Sequence, residues 1–179
     1  EQKGFLYGRV NSDVLYDNVI NKFDFSEYAN PDVYLSEDYT RTVQNLKIFL
    51  FRLSETLLIE KDYKRAAVVM DKYYAWFPQE TIPYDFLDLY MAENYLKFES
   101  KDLKAKGVKL FNDYVDQLNV EVEYYLKFRG KDAEIVRGNL DRNRAILDQI
   151  ARNSEYYTTM EANFAKEFKD LKEKASLHL

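Results

Sequence analysis

Residues 46–78 read LKIFLFRLSETLLIEKDYKRAAVVMDKYYAWFP. With Val43 just upstream, Leu46, Leu50, Leu53 and Leu57 recur at steps of three and four, the spacing of one apolar helix face. The helix is expected to end near Glu60. Asp62 is placed to cap a second helix, whose inner face is Ala66, Val69, Met70, Tyr73, Tyr74 and Phe77, until Pro78 approaches. On this reading Arg41, Lys47, Arg52 and Glu55 lie mostly off the stripe of the first helix. The stretch is a helical hairpin, with the small pair Ala66 and Ala67 where the two helices would come closest.

Composition agrees with helices. Five glycines and three prolines in 179 residues are too few for the many turns of an all-β chain. No cysteine is present, which removes disulfides, thiolate nucleophiles and thiolate metal ligands. The charge of −5 is uneven, with 16 basic and 22 acidic side chains in residues 1–128 against 10 and 9 in the remainder. Neither part is basic enough to neutralise a run of phosphates, so nucleic acid is not an expected partner. No apolar run approaches the ~20 residues of a spanning helix. The chain starts at Glu1 without an initiator Met or a signal-peptide pattern, and is expected to be a piece of something longer.

Working outward, residues 1–35 read as an extended lead-in with one short helix. Ser12 and Asp13 are its expected caps, and Val14, Leu15, Val19 and Phe23 its apolar face. Ser36 followed by Glu37 and Asp38 opens the first hairpin helix. Beyond Pro78, a loop leads to Pro83, expected in the first turn of a third helix carrying Leu87, Tyr90, Met91, Asn94, Tyr95 and Phe98. Ser100 and Asp102 introduce a fourth helix, from Leu103 through Gly107, Phe111, Tyr114 and Leu118 to Tyr125, either continuous or bent near 118–120.

Residues 36–129 thus form two hairpins. Matching Arg65-Ala66 to Lys106-Gly107 gives an offset of 41. Ala66 precedes Pro78 by 12 residues, the interval between the small residue and the closing proline of a tetratricopeptide repeat, although 41 exceeds that repeat's 34. Residues 130–179 continue as longer helices that pack on or cap the array. Val136, Leu140, Leu147, Ile150 and Ala151 share one face, Asn153-Ser154 mark a boundary or a mere interruption, and Met160, Phe164, Phe168 and Leu171 define a last amphipathic helix. The expected fold is all-α: tetratricopeptide-like hairpins in an α-α superhelix with longer C-terminal helices.

Motifs for catalysis are missing. His178 is the sole histidine and has no ligand set around it, so no metal site, cofactor or catalytic residue is expected. Acidic pairs such as Asp85 with Asp88, or Glu60 with Asp62, are read as helix starts and solvated faces. Aromatic residues, 16% of the chain, are the one excess. Most are expected to fill gaps between helices, but Trp76, Tyr84 and Tyr90, near the connection between hairpins, are the candidates for lining a groove that takes a peptide or a sugar ring. The final helix is expected to seal the array, or to offer its Met160, Phe164, Phe168 stripe to a partner.

Several segments resemble the C-terminal region of a family of large multi-spanning membrane proteins of Bacteroidetes, long catalogued as a domain of unknown function. They are GRVNSDVLYDNVINKF (8–23), PDVYLSED (31–38), the hairpin around 61–70, ETIPYDF (80–86) and MAENYLK (91–97), in the family's order over the first two-thirds of the chain. The resemblance implies a parent whose membrane portion is similar to GT-C glycosyltransferases, including protein O-mannosyltransferases. It also implies that the present chain is a tetratricopeptide-like tail on the periplasmic side of the inner membrane. The acidic residues of glycosyl transfer would belong to the membrane portion. The function expected here is therefore non-catalytic, an interaction or bracing domain contacting protein or the parent's own membrane portion. The alternative is a carbohydrate-binding module that presents a sugar or glycoprotein acceptor.

Overall fold

A computed structural model describes residues 8–179, apart from the side chains of residues 37, 38 and 40. The expected lead-in lies largely outside the described residues. Those residues form seven α-helices and no strand: α1 (Ser12–Asn21), α2 (Glu37–Ile59), α3 (Tyr63–Trp76), α4 (Phe86–Tyr95), α5 (Lys101–Tyr125), α6 (Gly130–Met160) and α7 (Ala165–Ala175). The all-α class built of helical hairpins, with long helices toward the C-terminus, is the fold observed. Among the described residues no helix is long and apolar enough to cross a membrane. The chain divides into two compact units, one up to Leu87 and one from Asp88 to Leu179.

In the first unit α2 and α3 pack as the hairpin. Leu50, Leu53 and Leu57 meet Ala66, Val69, Met70 and Tyr73 in a core closed to solvent. The reversal is tight because Lys61 adopts a left-handed φ of 61° and the Asp62 N–H donates to the Leu57 carbonyl (2.8 Å), which satisfies the end of α2. Asp62 then caps α3 by accepting from the Arg65 N–H (3.0 Å), as expected. The same Arg65 reaches Asp13 (2.6 Å) and so ties α1 to the hairpin. The cap of α1 is Asn11, whose Oδ1 accepts from Val14 N–H, and not Ser12 or Asp13. Ser12 instead donates to Glu60, 48 residues away.

Lys47 does not lie off the apolar stripe. It is fully buried, because four residues after Val43 and three before Leu50 is an inward position whatever the side chain there.

The second unit is built on α5, α6 and α7, with the rest of α4 against α5. The fit of α4 on α5 depends on Gly107: a Cβ at that position would lie 2.8 Å from the Ala92 carbonyl oxygen and from Tyr95 Cβ. Pro83 lies outside α4, contrary to expectation, because Asp85 supplies the cap; its Oδ1 accepts from the Leu87 N–H (2.7 Å). Helix α4 is correspondingly short, 10 residues.

Helix α5 runs unbroken through 118–120, and α6 runs through Asn153-Ser154 without a boundary. The Ser154 hydroxyl is accommodated inside the helix by donating to the Ile150 carbonyl (2.8 Å). Along α6 the inward positions alternate by three and four: Ala133, Val136, Leu140, Asn143, Leu147, Ile150, Ser154, Tyr157. Phe164, Phe168, Leu171 and Ala175 repeat the step and bury the face that leads into and along α7. The stripe is therefore occupied within the chain, except for Met160, which ends α6 and is 38% exposed.

Candidate functional site

The three aromatic candidates have different surroundings. Trp76 is buried, 5% exposed. Its ring meets Phe25 edge-on at 5.2 Å, and the Lys72 ammonium lies 4.6 Å from its centroid. Tyr84 is half-buried and meets Tyr74 edge-on at 6.1 Å. Positions 74 and 76 of one helix point about 200° apart, so α3 separates the two rings and does not bring them into one groove. Tyr90 is half-buried on α4, in the second unit.

Around Tyr84 the first unit assembles a polar group that the sequence did not single out. Tyr74 contacts Tyr73 (4.9 Å between centroids), and the Lys47 ammonium lies 5.4 Å from the Tyr73 ring. Lys47 Nζ also donates to Asp85 Oδ2 at 3.0 Å, with the Lys47 side chain 1% exposed and that of Asp85 20%. Asp85 therefore holds a buried cation with one oxygen and the start of α4 with the other. The ammonium is desolvated, ring-packed and ion-paired, which makes it a fastening between α2 and the residues after α3. The signal for it was positional: an apolar register occupied by a lysine.

A second polar group surrounds Tyr90. Three residues on, Glu93 accepts a hydrogen bond from the Tyr157 hydroxyl at 2.7 Å. Tyr157 is 1% exposed and its ring stacks at a tilt on Phe111, 4.8 Å away. Burial first, and the Glu93 carboxylate second, push the Tyr157 phenol far above its ordinary value, so it stays protonated and keeps donating. Just past the end of α6, Glu161 pairs with Lys104 of α5. The two pairs flank the level at which Gly107 admits α4.

The acidic pairs are likewise engaged. Glu60 accepts from Ser12, Asp62 caps α3, Asp85 is paired as above, and Asp88 is buried. Hydrogen bonding to the Arg65 backbone N–H, and then to its side chain, holds Asp62 below the ordinary carboxylate value. His178 lies 3.4 Å from Glu123, and among the described residues no set of three His, Cys, Asp or Glu side chains is arranged to hold a metal ion.

No family model matches the chain, and no curated protein or solved structure is measurably similar to it.

Proposed function

We propose that this chain is a non-catalytic interaction or bracing domain, the extramembrane tail of a membrane protein resembling a GT-C glycosyltransferase and carried on the periplasmic side of the inner membrane. The carrying observation is the state of Trp76. A ring that is 5% exposed and packed edge-on against Phe25 offers no free face to a sugar, while it does stiffen the hairpin. The polar groups agree with this: Asp85 with Lys47, and Glu93 with Tyr157, join elements across 38 and 64 residues of sequence. Both lie in stretches that carry the resemblance, Asp85 in ETIPYDF and Glu93 in MAENYLK.

Two measurements test the reading. Titration with mannose-rich glycans should leave Trp76 fluorescence and the Tyr84 and Tyr90 resonances unchanged; saturable shifts in all three would move the assignment to a carbohydrate-binding module. Crosslinking from α1 or α6 in the full-length product should capture either its own membrane helices or an envelope protein. Capture of neither, in a product without spanning helices, would overturn the proposal.

A further inference from the structure

Helix α1 is fastened to the hairpin differently at its two ends. Past its C-terminal end the fastening is aromatic. Phe23 and Phe25 meet Phe49 edge-on at 6.0 and 6.3 Å, Phe25 meets Trp76 at 5.2 Å, and Tyr28 meets Phe77 at 5.7 Å. At the N-terminal end the fastening is polar. Arg52 donates to the Gly8 carbonyl (2.9 Å) and Ser12 to Glu60 (3.1 Å). Arg65, whose Nε donates to Asp62, reaches Asp13 through Nη1 (2.6 Å) and sets its guanidinium 5.3 Å from the centre of the Tyr16 ring. Between these ends α1 adds little to the core, since only Ser12 and Val19 of its ten residues are buried.

We propose that α1 is a strap, hinged on Phe23 and Phe25 and clasped by Arg65, that opens and melts as a unit while the core between α2 and α3 stays closed. The two fastenings differ in what loosens them. Ring packing is indifferent to salt, whereas an ion pair whose Asp13 side chain is 82% exposed is screened by it. Arg65 suits the clasp because Asp62 holds it on α3 whether or not Asp13 is present. The Tyr16 ring contact and the Ser12 hydrogen bond part together with the ion pair, since 12, 13 and 16 lie within about a turn and a half of one another. A helix of ten residues does not persist in water by itself, so release and melting of α1 are one event. At the hinge Asp24 accepts from the Ser26 N–H (3.0 Å), and the segment beyond keeps its own hydrogen bonds. Opening bares the side of α2 and α3 on which α1 packs, so the strap sets how much of the hairpin solvent reaches.

Hydrogen exchange of the whole chain, read residue by residue in about 0.05 M and about 1 M potassium chloride, tests this. The amides of Tyr16 to Lys22 should exchange at least about a hundredfold faster than those of Leu50 to Leu57. They should gain about threefold more in the higher salt, while the rates at Tyr28 and at Leu50 to Leu57 stay as they are. Asp13→Asn, at an exposed side chain, should reproduce that gain of about threefold in low salt and remove the response to salt. Exchange of α1 at the rate of α2, or an α1 rate that either salt or Asp13→Asn leaves unchanged, overturns the proposal.

Discussion

The carboxylate of Asp85 lies 3.0 Å from the ammonium of Lys47, and the lysine side chain has no access to solvent. Because the two ends of this pair differ in exposure, they differ in what their removal leaves behind. Asp85→Asn takes the carboxylate away from a buried cation and also alters the group that caps α4, and should cost about 3–5 kcal/mol. Lys47→Met leaves a carboxylate that still reaches water and should cost less. In the double variant most of the loss should be recovered, which urea unfolding of the four chains would measure; equal losses that simply add would refute the coupling.

Two glycines in long helices should respond oppositely to alanine. At Gly107 the added methyl carbon meets a backbone oxygen at 2.8 Å, which can move only with α4, so Gly107→Ala should destabilise by about 1–3 kcal/mol. At Gly138 nothing lies within 4 Å, and Gly138→Ala should stabilise by up to about 1 kcal/mol through helix propensity alone. Thermal melts of the pair give the signs directly.

Lys61 holds a backbone conformation that costs an L-residue roughly 1–2 kcal/mol. Lys61→Gly should raise stability by about 1 kcal/mol, whereas Lys61→Val should lower it, both read from denaturant midpoints.

Tyr157 gives a pH signature. Its phenol has an unfolded value of 10.0 and is raised in the folded chain, chiefly by burial. Above pH 10 the unfolded chain loses this proton while the folded chain keeps it. The stabilisation is therefore complete below pH 10 and is lost as pH rises further, by about 1.4 kcal/mol per pH unit. Relative to the parent, Tyr157→Phe should lose about 1–3 kcal/mol at neutral pH, because Glu93 loses its donor. It should also show a shallower decline in alkali. Unfolding curves at pH 8 to 11.5 would decide it, and parallel declines would remove Tyr157 from the account.

The hairpin was readable because its apolar residues sit where a helix needs them, and the cap at Asp62 because aspartate before a helix has few other uses. Lys47 and Asn143 were harder to see. Each holds an inward position in an apolar series and is accommodated by a partner far away in sequence, Asp85 or Glu121. Hydropathy classifies such residues by type, whereas the fold classifies them by register. Pro83 was misplaced for a related reason: proline tolerates a helix start, but Asp85 can satisfy one, and the satisfied amide prevailed. Of the ring candidates, composition could mark Trp76 and Tyr84 but not that α3 would place them on different sides.

The order of contacts in the second unit bears on how it is made. Helix α5 packs on α6, α6 on α7, and α7 back on α5, so each helix meets one that is its neighbour or next neighbour along the chain. Loops between such partners are short and close in about 10–100 ns, and chains dominated by local contacts complete folding in microseconds to milliseconds. Translation adds only about 5–20 residues each second. Residues 101–160 can therefore pair as a hairpin before α7 is free to dock, and α7 then adds to a surface already formed.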